Sequence, residues 1–328
     1  MKTFSYLLNL IIFLCLLGNV FAQDNEKITE FPDARDLKKV GQAGYTFLKI
    51  GVDGRSTAIG EAAVTLEGDA ATLFFNPAGI TSVEGHSVFV GHTTWIADIT
   101  KSAAAWAGNF GTWGQFGVSA VYMDYNTIEG TEIDPFHPMG YRDTGNIGIE
   151  EYAIGLTYGQ RFTNKFGVAA TVKYCRQDFV VVESEKIAMD VGTVYDIGWH
   201  GMKVAMSIQH FSTDVKYVEE TFQLPMTFHI GTSIDLFDLL GVASTTHKMD
   251  VLIEGNNPID YSERFHFGAE YWYQSMVALR AGYKLNYDEQ GLTLGAGIRL
   301  SHFDLHYSYS SMGSYLGSAN RFSANYNF

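Results

Sequence analysis

From about residue 86 to the C-terminus the chain alternates apolar with polar residues, the period of a strand that is apolar on one face only. In the last run Phe322, Ala324, Tyr326 and Phe328 share one face, and Arg321, Ser323, Asn325 and Asn327 the other. Phe303, Leu305, Tyr307 and Tyr309 likewise oppose Asp304, His306, Ser308 and Ser310, while Leu292 to Leu300 set alternate apolar positions against Thr293, Gly295, Gly297 and Arg299. Val277, Leu279, Ala281 and Tyr283 oppose Arg280, Gly282 and Lys284, and Phe265, Phe267, Ala269, Tyr271 and Tyr273 oppose Arg264, His266, Gly268, Glu270 and Trp272. The same pattern predicts strands near 86–96, 101–110, 115–125, 149–161, 165–177, 187–198, 202–212, 226–236 and 247–256. That makes about fourteen in all, an even number as bacterial membrane barrels require.

Runs of roughly 9 to 11 residues suit a tilted strand crossing hydrocarbon, whereas strands in water average about 5 or 6. A secreted sandwich or propeller shares the alternation but not the length. The expected fold is therefore all-β, a transmembrane antiparallel β-barrel. A charge facing lipid costs about 2 to 4 kcal/mol at the midplane, so the face bearing Arg280, Lys284, Arg299 and Arg321 should point into the barrel. Arg264, Glu270, Arg280, Lys284, Arg299, Asp304 and Arg321 are then a candidate charged network in the lumen, either pairing among themselves or forming a path for an anion or polar headgroup. Tyr273, Tyr309 and Phe328 would sit in the interfacial girdles.

Barrels of this kind alternate short periplasmic turns with longer outer loops. The stretches 111–114, 162–164, 199–201, 274–275 and the Ser301 junction are tight, and 126–148, 178–186, 213–225, 257–262 and 311–318 are longer. The apolar stretch 237–245 breaks the alternation and suggests a short helix on the periplasmic rim. An open edge cannot persist in lipid, so the last strand should pair with the first.

The remainder of the chain is different. Residues 4–17 are almost uninterruptedly apolar behind Lys2, and Val20-Phe21-Ala22 resembles a cleavage site, so 1–22 reads as a secretory signal peptide cut near Ala22. The run is shorter than the roughly 20 residues of a spanning helix. Residues 23–40 would form a periplasmic extension, 41–85 a segment punctuated by Gly41, Gly44, Gly51, Gly54, Gly60 and Gly68, and 86–328 the barrel. The composition agrees, with 34 Gly, 14% aromatic residues and only 6 Pro. A formal charge of −14 argues against nucleic acid as a partner. Losing Cys15 with the signal peptide leaves Cys175 alone, which excludes an internal disulfide.

Within 41–80, Phe47 to Val52, Gly54-Arg55, Ala58-Ile59-Gly60, Asp69-Ala70 and Asn76-Pro77-Ala78-Gly79 together resemble the N-terminal signature of the PorV/PorQ family, part of the group similar to the fatty-acid transporter FadL. A terminal Phe328 on an amphipathic strand similarly resembles the insertion signal of outer-membrane barrels. The resemblance implies a barrel in the bacterial outer membrane whose N-terminal segment plugs the lumen, with Gly54, Arg55, Gly60, Asn76, Pro77, Ala78 and Gly79 as the plug motif. Independently, Pro77 restrains Asn76 to extended backbone, and the Asn76 side chain can bond its own turn.

No nucleophile triad or phosphate loop stands out, so no catalytic residue, cofactor or metal is assigned. His302 and His306 lie about 13 Å apart on an extended strand, too far for one ion. Two roles remain, neither enzymatic. One is a component of type IX protein secretion or cell-surface attachment, binding secretion partners or cargo through the acidic 126–148 loop around Pro135-Phe136-His137-Pro138. The other is a FadL-like channel for a hydrophobic small molecule. Membrane lipid is a partner in both.

Overall fold

The computed structural model describes residues 43–179, 182–217, 220–242 and 244–328. The expected signal peptide, the 23–40 extension and the start of the 41–85 segment lie outside these. The barrel strands are β1 (His86–Thr94), β2 (Thr100–Asn109) and β3 (Gln115–Asp124), then, after a hairpin of β4 (Ile128–Ile133) and β5 (Tyr141–Ile147), β6 (Glu150–Arg161), β7 (Phe166–Asp178), β8 (Glu183–Asp196) and β9 (Lys203–Ser212). A small hairpin of β10 (Val215–Tyr217) and β11 (Glu220–Phe222) follows, and then β12 (Thr227–Asp235), β13 (His247–Pro258), β14 (Arg264–Tyr273), β15 (Val277–Leu285), β16 (Leu292–Leu300), β17 (Phe303–Ser311) and β18 (Ser318–Asn327).

Fourteen of these strands form one closed antiparallel sheet, in which β18 returns to pair with β1 from Ser87 opposite Asn327 to Thr94 opposite Asn320. No strand edge is left open in the wall, as hydrocarbon demands. The pleat sorts the side chains as the alternation predicts: in β15, Ala278, Arg280, Gly282 and Lys284 are buried, and Val277, Leu279, Ala281 and Tyr283 are exposed. Leu156, Leu279 and Phe322 expose 64%, 59% and 59% of their surface. A continuous apolar surface of that kind is stable against lipid, not water.

The connections depart from expectation in three places. The 178–186 stretch is not a long loop, because β7 runs to Asp178 and β8 begins at Glu183. The acidic 126–148 loop is itself a hairpin, β4 on β5, which satisfies its own backbone beyond the barrel. Part of 213–225 pairs in the same way, as β10 on β11. The 237–245 anomaly does contain a helical turn, Leu236–Leu239, capped by the Asp235 carboxylate on the Phe237 and Asp238 amides.

Residues 43–83 form short helical turns bonded to inward-facing side chains on widely separated strands. Helix Gly54–Ala58 meets β15 to β18, turn Ala70–Phe74 meets β1 to β3, and turn Pro77–Ser82 meets β6 to β8. Phe328 ends the chain on the short-turn rim, its carbonyl accepting from the His86 amide at 2.7 Å and its ring stacked on Tyr326.

Phe322 lies midway along the seam strand and faces outward. The Phe322→Arg variant is expected to lose about 2–4 kcal/mol, read by urea unfolding of the refolded barrel in lipid; a loss below about 1 kcal/mol would show that this face is not in hydrocarbon.

Candidate functional site

A segment inside a barrel has no neighbouring strand along its whole length, so its backbone must be satisfied locally or by wall side chains. Three Asx caps do much of this. Asp53 accepts from the Arg55 and Ser56 amides, Asp69 from Ala71, and Asn76 Oδ1 from Ala78, with Pro77 following at a position that needs no amide hydrogen. Asn76 Nδ2 donates in turn to the Val64 carbonyl at 2.7 Å, and to Thr193 of the wall at 3.3 Å.

The charges then tie segment to wall. Arg55 makes a two-pronged contact with Glu270, at 2.9 and 2.7 Å, and Arg280 Nε reaches the same carboxylate at 2.5 Å. Lys284 pairs with Glu61 at 2.7 Å. Lys101 donates to the Phe47 and Ile50 carbonyls, both at 2.7 Å, and Arg321 to the Gly51 carbonyl at 2.9 Å. Glu67 holds Lys203 at 2.6 Å and Arg161 at 3.1 Å. Burial pushes the Glu61 carboxyl up, but Lys284, Arg321 and His266 outweigh it and hold it down at about 2. At Asp69 burial wins over the pull of Arg55, and its carboxyl is pushed up to about 6.

The seven predicted lumen charges all have inward or rim positions, but they do not form one network. Arg280 and Glu270 belong with Arg55, and Lys284 with Glu61. Arg299 and Asp304 pair with each other at 2.7 and 2.8 Å. Arg321 binds a segment carbonyl and Ser310. Arg264 stacks between Tyr261 and Tyr287, 4.2 and 4.1 Å from the ring centres. The reason is geometric: segment residues stand between the inward side chains and take them as partners.

The motif residues fall where close packing is needed. A Cβ at Gly54 would lie 3.0 Å from the His306 carbonyl oxygen, and one at Gly79 would lie 2.7 Å from that of Leu66. Gly60 has φ +69°, and a Cβ on Gly282 of the wall would sit 2.0 Å from the Gly60 nitrogen, so the two backbones touch with no room for a side chain. Ala78 is fully buried. Sequence reasoning missed Lys101, Glu61, Asp53 and Glu67. The inward Gly268, Gly282 and Gly295 on three successive strands, which make the trough for residues 58–60, were a visible signal of close backbone approach.

Between the segment and the β3–β13 side of the wall lies a cavity of ≈ 370 Å3. Leu48, Ile50, Val52, Phe74, Phe75 and Val121 supply apolar surface, and its charged lining includes Lys49, Lys101, Lys173, Glu61, Glu254 and Arg264. Most of these charges are engaged, Lys49 with Asp260, Lys173 with Asp190, Glu254 with His229, and Lys101 and Glu61 as above, whereas Arg264 lies between the two tyrosine rings with a buried Nε that has no partner among the described residues. A cavity of this size, with an apolar part beside a polar one and unpartnered atoms at Arg264 Nε, Asn256 Oδ1 and His210 Nδ1, suits a small molecule that is apolar in part.

A profile of the uncharacterised protein family UPF0164 matches residues 19–179. No curated protein sequence matches the chain. Among solved structures the chain is similar to the CymD monoaromatic hydrocarbon channel, with TM-score 0.56 and 13% identity over 85% of this chain and 98% of that one. It is similar to the Pseudomonas putida toluene transporter TodX with TM-score 0.56 and 12% identity, over 88% of this chain and 98% of the other. A Pseudomonas aeruginosa FadL homologue gives 0.55 and 10%, over 85% and 99%. At such identities the likeness is one of fold, and it is to the FadL-like channel barrels.

Glu270→Gln should leave Arg280 buried without a counter-charge and Arg55 with only the Asp69 carboxylate, 3.9 Å away, at a cost of about 3–5 kcal/mol. Thermal unfolding measures it; a shift no larger than that of Glu132→Gln, whose pair with Arg142 is exposed, would show that the Glu270 contacts do not anchor the segment.

Proposed function

We propose that the protein is a non-enzymatic outer-membrane channel for a hydrophobic small molecule, with residues 41–85 as the plug of its lumen. The observation that carries this reading is the ≈ 370 Å3 cavity, apolar in part of its lining and with most of its charges paired, held between that segment and the wall. The likeness in fold to channels described as carrying monoaromatic hydrocarbons and toluene points the same way. The expected role in type IX secretion rests on the 41–80 motif, and neither the cavity nor these neighbours adds to it. The apolar belt supports residence in lipid, and the fold supports the bacterial outer membrane. Gly54, Arg55, Gly60, Asn76, Pro77, Ala78 and Gly79 act in this reading as structural residues of the plug, and Phe328 as the insertion signal.

Two measurements test it. In cells stripped of their own hydrophobic-substrate channels, the protein should raise uptake of labelled toluene several-fold, and Ala153→Trp, which fills the cavity from the inward face of β6, should remove the gain. No gain over empty vector, together with loss of protein export on deleting the gene, would favour the secretion role. Separately, deletion of 41–80 should yield a barrel that passes arabinose in a liposome-swelling assay; an assembled deletion barrel as tight as the full chain would refute the plug.

A further inference from the structure

Within the barrel, among the described residues, strand pairing slips at one place. Met189 of β8 faces Phe211 of β9 and Val191 faces Ile208, so Asp190 stands against two residues, Gln209 and His210. This is a β-bulge, and it turns two consecutive side chains inward: Gln209 and His210 expose 5% and 4% of their surface, while Ile208 and Phe211 on either side face outward. The backbone of His210 is left-handed, at φ +60°, a conformation few side-chain-bearing residues adopt. The Asp190 carboxylate holds it there, accepting from the His210 amide at 2.8 Å.

The two residues so placed do different things. Gln209 Nε2 donates to the Phe74 carbonyl and so binds the plug segment. The His210 ring lines the cavity but bonds to nothing among the described residues: its Nδ1 is buried without a partner, 3.9 Å from the nearest Asp190 oxygen. A buried polar atom left so is costly unless something else supplies its partner. The lysines around the same cavity are already committed, Lys49 to Asp260, Lys101 to two carbonyls and Lys173 to Asp190, while Arg264 is held between the Tyr261 and Tyr287 rings with its Nε unpartnered. An anion bound at His210 would have to break one of those lysine contacts to gain a counter-charge, whereas an uncharged hydroxyl would not.

Building on the channel reading, we infer that the β8–β9 bulge makes His210 the hydrogen-bonding anchor of the cavity, and that the ligand is an uncharged hydrocarbon bearing a hydroxyl group, an alcohol or a phenol. A hydroxyl both donates and accepts, so it satisfies either tautomer of the ring. The surrounding apolar side chains take the hydrocarbon body.

Three probes of one shape separate the possibilities: naphthalene, 1-naphthol and 1-naphthoate, titrated against the full chain in lipid nanodiscs with protein-free discs subtracted, following the part of the tryptophan fluorescence that a Trp95→Phe control, at the cavity wall, removes. The wild type should bind 1-naphthol roughly tenfold more tightly than naphthalene, the worth of one hydrogen bond, and His210→Leu should erase that ratio, whatever it does to the binding of naphthalene itself. His210→Asn tolerates the left-handed backbone but lacks the reach of the ring, and should erase the ratio too; its heat-modifiable migration on gels reports an intact barrel if the leucine variant does not fold. Equal binding of naphthalene and 1-naphthol, or a ratio that survives in the folded asparagine variant, overturns the inference and leaves the channel standing. Tightest binding by 1-naphthoate overturns it in favour of an anionic ligand. Binding of none of the three overturns both the inference and the channel reading.

Discussion

A sheet in hydrocarbon cannot leave an edge, because an unpaired amide or carbonyl there has neither water nor a partner. For this chain the constraint is met by β18 returning to β1, and much else follows from that pairing. Closure creates a lumen, and strand number sets its width. A barrel of about eight strands is filled by its own side chains, but fourteen leave a space that side chains alone do not close. Residues 43–83 occupy part of that space. Their fold is shaped accordingly: short turns with Asx caps, and flat glycine contacts where two backbones meet.

The charges of the lumen fit the same logic. Desolvating Arg55, Glu270 and Arg280 together costs about as much as their attraction returns, so such a cluster adds little net stability over an apolar equivalent. What it supplies is position. Arg55 meets Glu270 with both carboxylate oxygens engaged, Lys284 meets Glu61, and Lys101 meets two carbonyls that only this path of the chain presents. A segment of short turns could pack in several ways; these contacts select one. They also leave most of the charges that line the cavity with partners.

The wall was legible because lipid punishes error at every second residue. The strands at 264–273, 277–285 and 292–300 appear with the bounds that alternation predicts, and the inward faces are the polar ones. Beyond the lipid that constraint vanishes, and the reading failed there: strands continue into what alternation alone marks as the 178–186 loop, and the acidic loop pairs with itself. Inside the lumen the individual residues were legible but their partners were not. Alternation says that Arg280 and Lys284 face inward; nothing in it says that Arg55 and Glu61, more than two hundred residues away, will meet them. Asp53, Asp69 and Asn76 before their turns were readable as caps, and only Asn76 was read.

The bulge at His210 shows where a regular wall gives way to chemistry. A strand in strict alternation offers every second residue to the lumen, and here that rule would send Gln209 and Phe211 inward and leave His210 in lipid. The run Ile208-Gln209-His210-Phe211 places two polar residues between two apolar ones, and no flat pairing satisfies all four. Inserting one residue does: Ile208 and Phe211 both face outward, and Gln209 and His210 both face inward. The irregularity is thus dictated by the same lipid constraint that makes the rest of the wall regular. Its by-product is an imidazole delivered to the edge of the cavity, a placement that alternation cannot produce and that a left-handed backbone, held by Asp190, maintains.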